Sequence, residues 1–223
     1  MGSDNPLYRA AVWIVPLVIA IVFHEVAHGW VARLLGDPTA AEQRRLSLNP
    51  LRHVDPVGTV ILPLGLAVAG APVFGWAKPV PVRADRLGNP RMGMMLVALA
   101  GPGANLLLAA LGAVGLGLAA AGGQAAGFAG DVLFSFILVN VFLALFNLLP
   151  LPPFDGGHVV EGLLPRSSAV RFARLARFGF PIMLTLLVLL PMLSPRLNVV
   201  AALVAPPARA LTGFFLGLAH AIA

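Results

Sequence analysis

Hydrophobic residues run along this chain in long blocks rather than alternating with polar ones. Six blocks stand out, at about residues 10–35, 57–73, 91–121, 131–149, 170–193 and 198–222. A membrane-spanning helix needs about 20 mostly apolar residues to cross roughly 30 Å of hydrocarbon at 1.5 Å per residue, and five of the blocks reach that length. The block at 57–73 falls short, because a full helix there extends only about 26 Å, and it carries Gly58, Pro63, Gly65, Gly70 and Pro72. Behind it, the run from Val73 to Val82 includes Pro79 and Pro81 and reads as extended chain or an edge strand, since proline there forbids a helix. The pattern predicts an all-α polytopic membrane protein: about five transmembrane helices, a re-entrant segment at 57–73 and a short β-hairpin. No internal repeat or soluble insertion is visible, so residues 1–223 read as one transmembrane domain, with a core at about 10–165 and C-terminal helices at about 166–223.

Loop charges decide between a sixth span and a re-entrant segment. With six spans, one side collects nine basic residues and the other five. If 57–73 re-enters, Arg33 through Arg91 and Arg166 through Arg177 share one side, which gives twelve against only Arg9 and Arg196. Basic residues gather in cytoplasmic loops, so the expected topology has the N-terminus outside and five spans.

Composition agrees and closes other classes. With 59% hydrophobic and 11% charged residues and a mean hydropathy of +0.91, the chain has more apolar surface than a soluble fold of its size can hide. It contains no cysteine, which excludes thiolate zinc sites, iron–sulfur clusters and disulfides. The net charge of +6 is accounted for by loop anchoring, and no nucleic-acid partner is expected.

Chemistry is concentrated in His24-Glu25-Val26-Ala27-His28, inside the first hydrophobic block. Histidines at i and i+4 share a helix face and can bind one metal ion, and the intervening Glu25 can reach a water on that metal without being a ligand. Ionisable groups are costly in hydrocarbon, and a metal accounts for all three. A catalytic site needs a third protein ligand and an open position. Asp155 is the best candidate: it follows a helix stopped by Pro150, Pro152 and Pro153 and precedes Gly156 and Gly157, and irregular chain at membrane depth is tolerated where it lines a polar cavity. His53 and His220 are expected to be solvated or interfacial. With one span between them, the histidine helix and the helix before Asp155 run the same way, which puts the three side chains at similar depth.

These residues resemble the site-2 protease family of intramembrane zinc metalloproteases, in its compact prokaryotic branch without PDZ or CBS domains. The resemblance lies in His24 to His28, Asn147 with Phe154-Asp155-Gly156, Leu46 to Pro50, His53 to Gly58, Gly75 to Val82 and Ala100 to Asn105, and covers about residues 15–165. It implies His24, His28 and Asp155 as ligands of one zinc ion, Glu25 as catalytic base, and Asn147 as a holder of substrate backbone or oxyanion. It also implies a site within the cell membrane toward the cytosol, and transmembrane proteins as substrates. Asn140, one helix face with Asn147, and Asn105 are further oxyanion candidates, with a plain interhelical hydrogen bond as the competing role. The segment around Trp76 to Val82 offers an edge to an unwound substrate or merely closes a loop. Imidazole and carboxylate suit several divalent ions. A proteolytically silent scaffold or chaperone would be favoured by a missing ligand or base, and none is missing. A transporter would show repeats or a charged pathway, and neither is present.

Overall fold

The computed structural model describes residues 5–223. Among the described residues, five helices are long and apolar enough to cross a membrane: α1 (Pro6–Leu34), α4 (Pro90–Ala121), α5 (Phe128–Asn147), the interrupted helix Arg166–Leu193, and α10 (Val199–Ile222). The interrupted helix is built from α7 (Arg166–Ala173), α8 (Gly179–Leu184) and α9 (Leu190–Leu193), joined by a 3-10 turn and a π turn. Shorter elements are α2 (Thr39–Glu42), α3 (Leu62–Val68) and α6 (Asp155–Leu163). The chain is a multi-pass all-α membrane protein.

Local chemistry sets the helix starts. Asn5-Pro6, Asn49-Pro50, Asp55-Pro56 and Asn89-Pro90 each place a capping side chain before a proline that needs no amide partner. Asp55 accepts from the amides of Val57 at 3.0 Å and Gly58 at 2.6 Å. It thereby starts an apolar helix, Pro56–Val68, that is too short to count among the spans. Pro206 and Pro207 lie inside α10 without breaking it, so the last block is one continuous helix.

Small residues let the spans approach closely. A Cβ on Gly112 would come within 2.9 Å of Phe136, and one on Gly117 within 2.5 Å of the Ala219 carbonyl. Around them Ala109, Ala113, Ile137, Val141, Phe215 and Ala219 form the apolar seam of α4, α5 and α10. Close backbone approach is how helices associate where lipid is as apolar as the side chains. Outward, Leu107, Leu111, Leu118 and Phe142 stay exposed, as a lipid-facing surface requires.

Two expectations need correction. No strand, and therefore no hairpin, forms among the described residues. Residues 71–83 run extended, but Pro72, Pro79 and Pro81 have no amide to give a ladder. Those of the remaining amides that are paired find partners on separate elements, among them Trp76 N–H on the Gly58 carbonyl (3.1 Å), Lys78 N–H on that of His53 (2.8 Å) and Val80 N–H on Glu25 (2.9 Å). The second concerns His53, which is buried (3% exposed) rather than solvated. Its 3-10 turn, Pro50–His53, brings its ring against the Ser47 carbonyl at 2.8 Å.

The far end of the extended segment is tied to the end of α1 by Asp37, which is fully buried and accepts from the Thr39 amide and hydroxyl and from the Arg83 amide.

Candidate metal centre

His24 and His28 lie one turn apart on α1, in its second half, where the helix is covered by α4 and α5. Each imidazole is fixed from behind. Nδ1 of His24 lies 2.6 Å from Oδ1 of Asn105, and Nδ1 of His28 lies 2.7 Å from the Val97 carbonyl. Both partners are acceptors: the Asn105 amide nitrogen is turned to the carbonyl oxygens of Ala20 (3.2 Å) and Asn140 (2.9 Å). Nδ1 therefore carries the proton in each ring, and each Nε2 presents a lone pair.

Asp155 arrives from the other side. The chain leaves α5 at Asn147, runs through three prolines and re-enters a helix at Asp155. The turn is tight enough to require glycine, since a Cβ on Gly156 would lie 2.3 Å from the Leu148 carbonyl oxygen. Oδ2 of Asp155 lies 3.1 Å from Nε2 of His24 and 3.4 Å from Nε2 of His28. That oxygen is buried with no hydrogen-bond partner. Three lone pairs thus face one another with no proton between them, which is costly unless a cation sits among them. Nitrogen and oxygen donors about 2.0–2.1 Å from a tetrahedral ion lie about 3.3 Å apart, so the spacing fits such an ion. Gly101 of α4 supplies the room: a Cβ there would lie 2.5 Å from Nε2 of His28 and 2.6 Å from Nε2 of His24.

The three donors open onto a cavity of about 660 Å³ walled by α1, α4, α5, the Pro153–Asp155 turn, the extended segment and Phe180 and Met183 of α8. Glu25 lines it beside the donors, with Oε2 held by the Val80 amide. Asn147 also lines it; its Nδ2 donates back to the Leu143 carbonyl at 3.0 Å, which uses one of its two N–H groups.

The structure therefore brings together His24, His28, Asp155, Glu25 and Asn147 at the cavity, and places Asn105 and Asn140 behind His24, off the cavity wall. Both of these amides are fully buried and absent from the cavity wall. Asn140 donates to the Phe136 carbonyl at 2.8 Å and accepts from Asn105, so the pair forms an interhelical relay ending on His24. Sequence reasoning missed the Val80 amide, which has no side-chain signature, and Arg45, whose charge counted only toward topology.

Comparison with known proteins gives the same direction. Peptidase family M50 matches residues 116–190. The Bacillus subtilis (strain 168) protein named "Putative zinc metalloprotease YwhC" is 42% identical over 188 residues, covering 82% of this chain and 83% of its own. The Mycolicibacterium smegmatis and Mycobacterium tuberculosis (strain H37Rv) proteins named "Putative zinc metalloprotease Rip2" are 29% and 28% identical, each covering 87% of this chain and 72% of its own. No solved structure matches. On the length and level of the similarity to YwhC, joined to the family match, this chain belongs to peptidase family M50.

Proposed function

We propose that the chain is an intramembrane zinc endopeptidase of the site-2 protease type, hydrolysing peptide bonds in or near the transmembrane segments of single-span membrane proteins. The observation that carries this is the convergence of Nε2 of His24, Nε2 of His28 and the partnerless Oδ2 of Asp155 beside the Glu25 carboxylate in one cavity.

His24, His28 and Asp155 hold one zinc ion. When bound, zinc supplies Lewis acidity toward the scissile carbonyl and lowers the pKa of water toward about 7. Glu25 takes the proton of the attacking water and passes it to the leaving amine. One oxygen of its carboxylate is anchored at Val80, so the other is free for proton transfer. Asn147 offers its free N–H to the substrate carbonyl or the developing oxyanion. Asn105 and Asn140 act behind the ligands, holding the His24 ring and its tautomer.

The substrate reaches the site unwound, because a helix hides its carbonyls within its own hydrogen bonds. Ala77 lies on the cavity wall between the pinned residues Trp76 and Lys78, and its backbone offers one edge for an extended strand. The helix Pro56–Val68 belongs to a re-entrant segment, which gives the twelve-to-two distribution of loop charges. That arrangement puts the N-terminus outside and the site toward the cytosol in a prokaryotic cell membrane.

The test uses the full chain purified in detergent, as wild type and Glu25→Gln, with bound metal measured and a panel of single-span substrates added. One zinc in each protein is expected, with cleavage by wild type alone, abolished by chelator and lowered by at least about 10²-fold in the variant. Zinc without cleavage of any substrate would favour a scaffold, and absence of metal in both would overturn the site.

A further inference from the structure

Arg45 is buried, at 8% exposed, although no carboxylate pairs with it among the described residues. A guanidinium taken out of water without a counter-ion is costly, and Arg45 also leaves its Nε buried without a partner. What it does hold is backbone. Its Nη2 donates to the Lys78 carbonyl at 2.7 Å and to the Pro79 carbonyl at 3.3 Å.

The peptide unit that begins at the Pro79 carbonyl ends at the Val80 N–H, and that N–H donates to Oε2 of Glu25. A single peptide unit therefore lies between a cation and a carboxylate, with its oxygen toward the first and its hydrogen toward the second. This is the orientation its dipole favours. Val80 stands between Pro79 and Pro81, so its amide hydrogen is the only one in three residues, and no neighbouring amide can replace it.

Arg45 is itself aimed by a device with a local cost. The end of α2 closes as a paired C-terminal cap: the Arg44 amide donates to the Ala41 carbonyl at 2.9 Å and the Arg45 amide to that of Ala40 at 2.8 Å. The cap puts Arg44 at φ 54, the left-handed conformation that usually belongs to glycine. Arg52 steadies the turn by donating to the Arg44 carbonyl at 2.7 Å.

We propose that Arg45 is a positioning residue for Glu25, acting through the Pro79–Val80 peptide unit whose carbonyl it holds and whose N–H holds the Glu25 carboxylate. This builds on the assignment of Glu25 as the base, but the link from Arg45 to Glu25 is separable from it. Removing the guanidinium frees that peptide unit to turn and releases one oxygen of Glu25. The amides of Trp76 and Lys78 stay bound, because they rest on Gly58 and His53 and not on Arg45.

The test is hydrogen exchange of the zinc-loaded full chain, resolved at Trp76, Lys78 and Val80, in wild type, Arg45→Met and Arg45→Lys. Arg45→Met is expected to speed exchange at Val80 by tenfold or more and to leave Trp76 and Lys78 within about twofold; Arg45→Lys gives an intermediate rate. With a cleavable substrate, kcat falls about tenfold or more while KM stays within about twofold. If Arg45→Met does not fold, Val80→Pro removes the same amide hydrogen and lowers kcat similarly. Where both fold, the double variant is no worse than either single one. An unchanged Val80 rate, equal acceleration at all three amides, or a raised KM with unchanged kcat would each overturn the proposal. If wild type cleaves nothing, the protease assignment fails, while the exchange rates still decide whether Arg45 governs the Val80 amide.

Discussion

The two halves of the site are built by opposite means. The donors His24 and His28 stand on an unbroken stretch of α1 and are fixed by α4, through Asn105 and the Val97 carbonyl. Glu25 sits on the same helix, yet its carboxylate is fixed by irregular chain, the extended segment through Val80. That segment is held by separate hydrogen bonds to His53, to the start of the Pro56–Val68 helix at Gly58 and Thr59, and to Arg45. Helix-on-helix packing suits groups that must keep one spacing. Irregular chain suits a carboxylate that, as the proposed base, would serve successive proton transfers beside a substrate.

The sharpest way to break the helical half is Gly101→Ala. The new Cβ would fall within 2.6 Å of both Nε2 atoms, so bound metal should drop from one ion per chain to near zero. Metal analysis, with a circular dichroism check that the helices persist, decides it. Next in size is Asn105→Leu, which leaves the His24 ring without its Nδ1 acceptor; zinc affinity should fall about 10–100-fold in a chelator competition. In the loop half, Asp37→Asn should destabilise the tie between α1 and Arg83 by about 1–3 kcal/mol, seen as faster exchange of the Arg83 amide.

Asp37 also gives that tie a pH dependence. Burial pushes its carboxyl up, and the hydrogen bonds from the Thr39 hydroxyl and the Arg83 and Thr39 amides outweigh this, leaving it below its ordinary value. The unfolded chain then binds the proton more readily than the folded one. The stabilisation is complete above the ordinary value of about 3.9 and is lost as pH falls below it through the folded value. Exchange at Arg83 should therefore be flat from neutral pH to about 5 once corrected for the intrinsic rate, and rise relative to that rate below about 4. The smallest expected effect is Arg44→Gly, which relieves the left-handed backbone and should raise stability by about 0.5 kcal/mol while leaving the Val80 amide as protected as in wild type.

The same contrast explains what could be read in the sequence. The spans were legible because crossing hydrocarbon imposes a length, and each of the five falls within a few residues of its hydrophobic block. The histidine spacing was legible because a helix repeats every 3.6 residues, and Asp155 because the prolines before it end a helix just ahead of it. The hairpin expected from extended chain failed because extended backbone is not enough; a ladder also needs donors, and Pro79 and Pro81 have none. The holding of Glu25 was not legible, since the donor at Val80 is a backbone atom that every residue but proline carries. Asn105 was visible as a buried amide, but only the fold shows that its oxygen meets an imidazole and not the cavity.

Gly101 has a consequence for how this gene can vary. The glycine codons reach alanine, serine, valine, aspartate, glutamate, arginine, cysteine and tryptophan by one nucleotide change, and every one of these adds a Cβ. At this position the smallest addition already overlaps both imidazoles. The codon has no neutral non-synonymous neighbour, and drift at position 101 is confined to the third base.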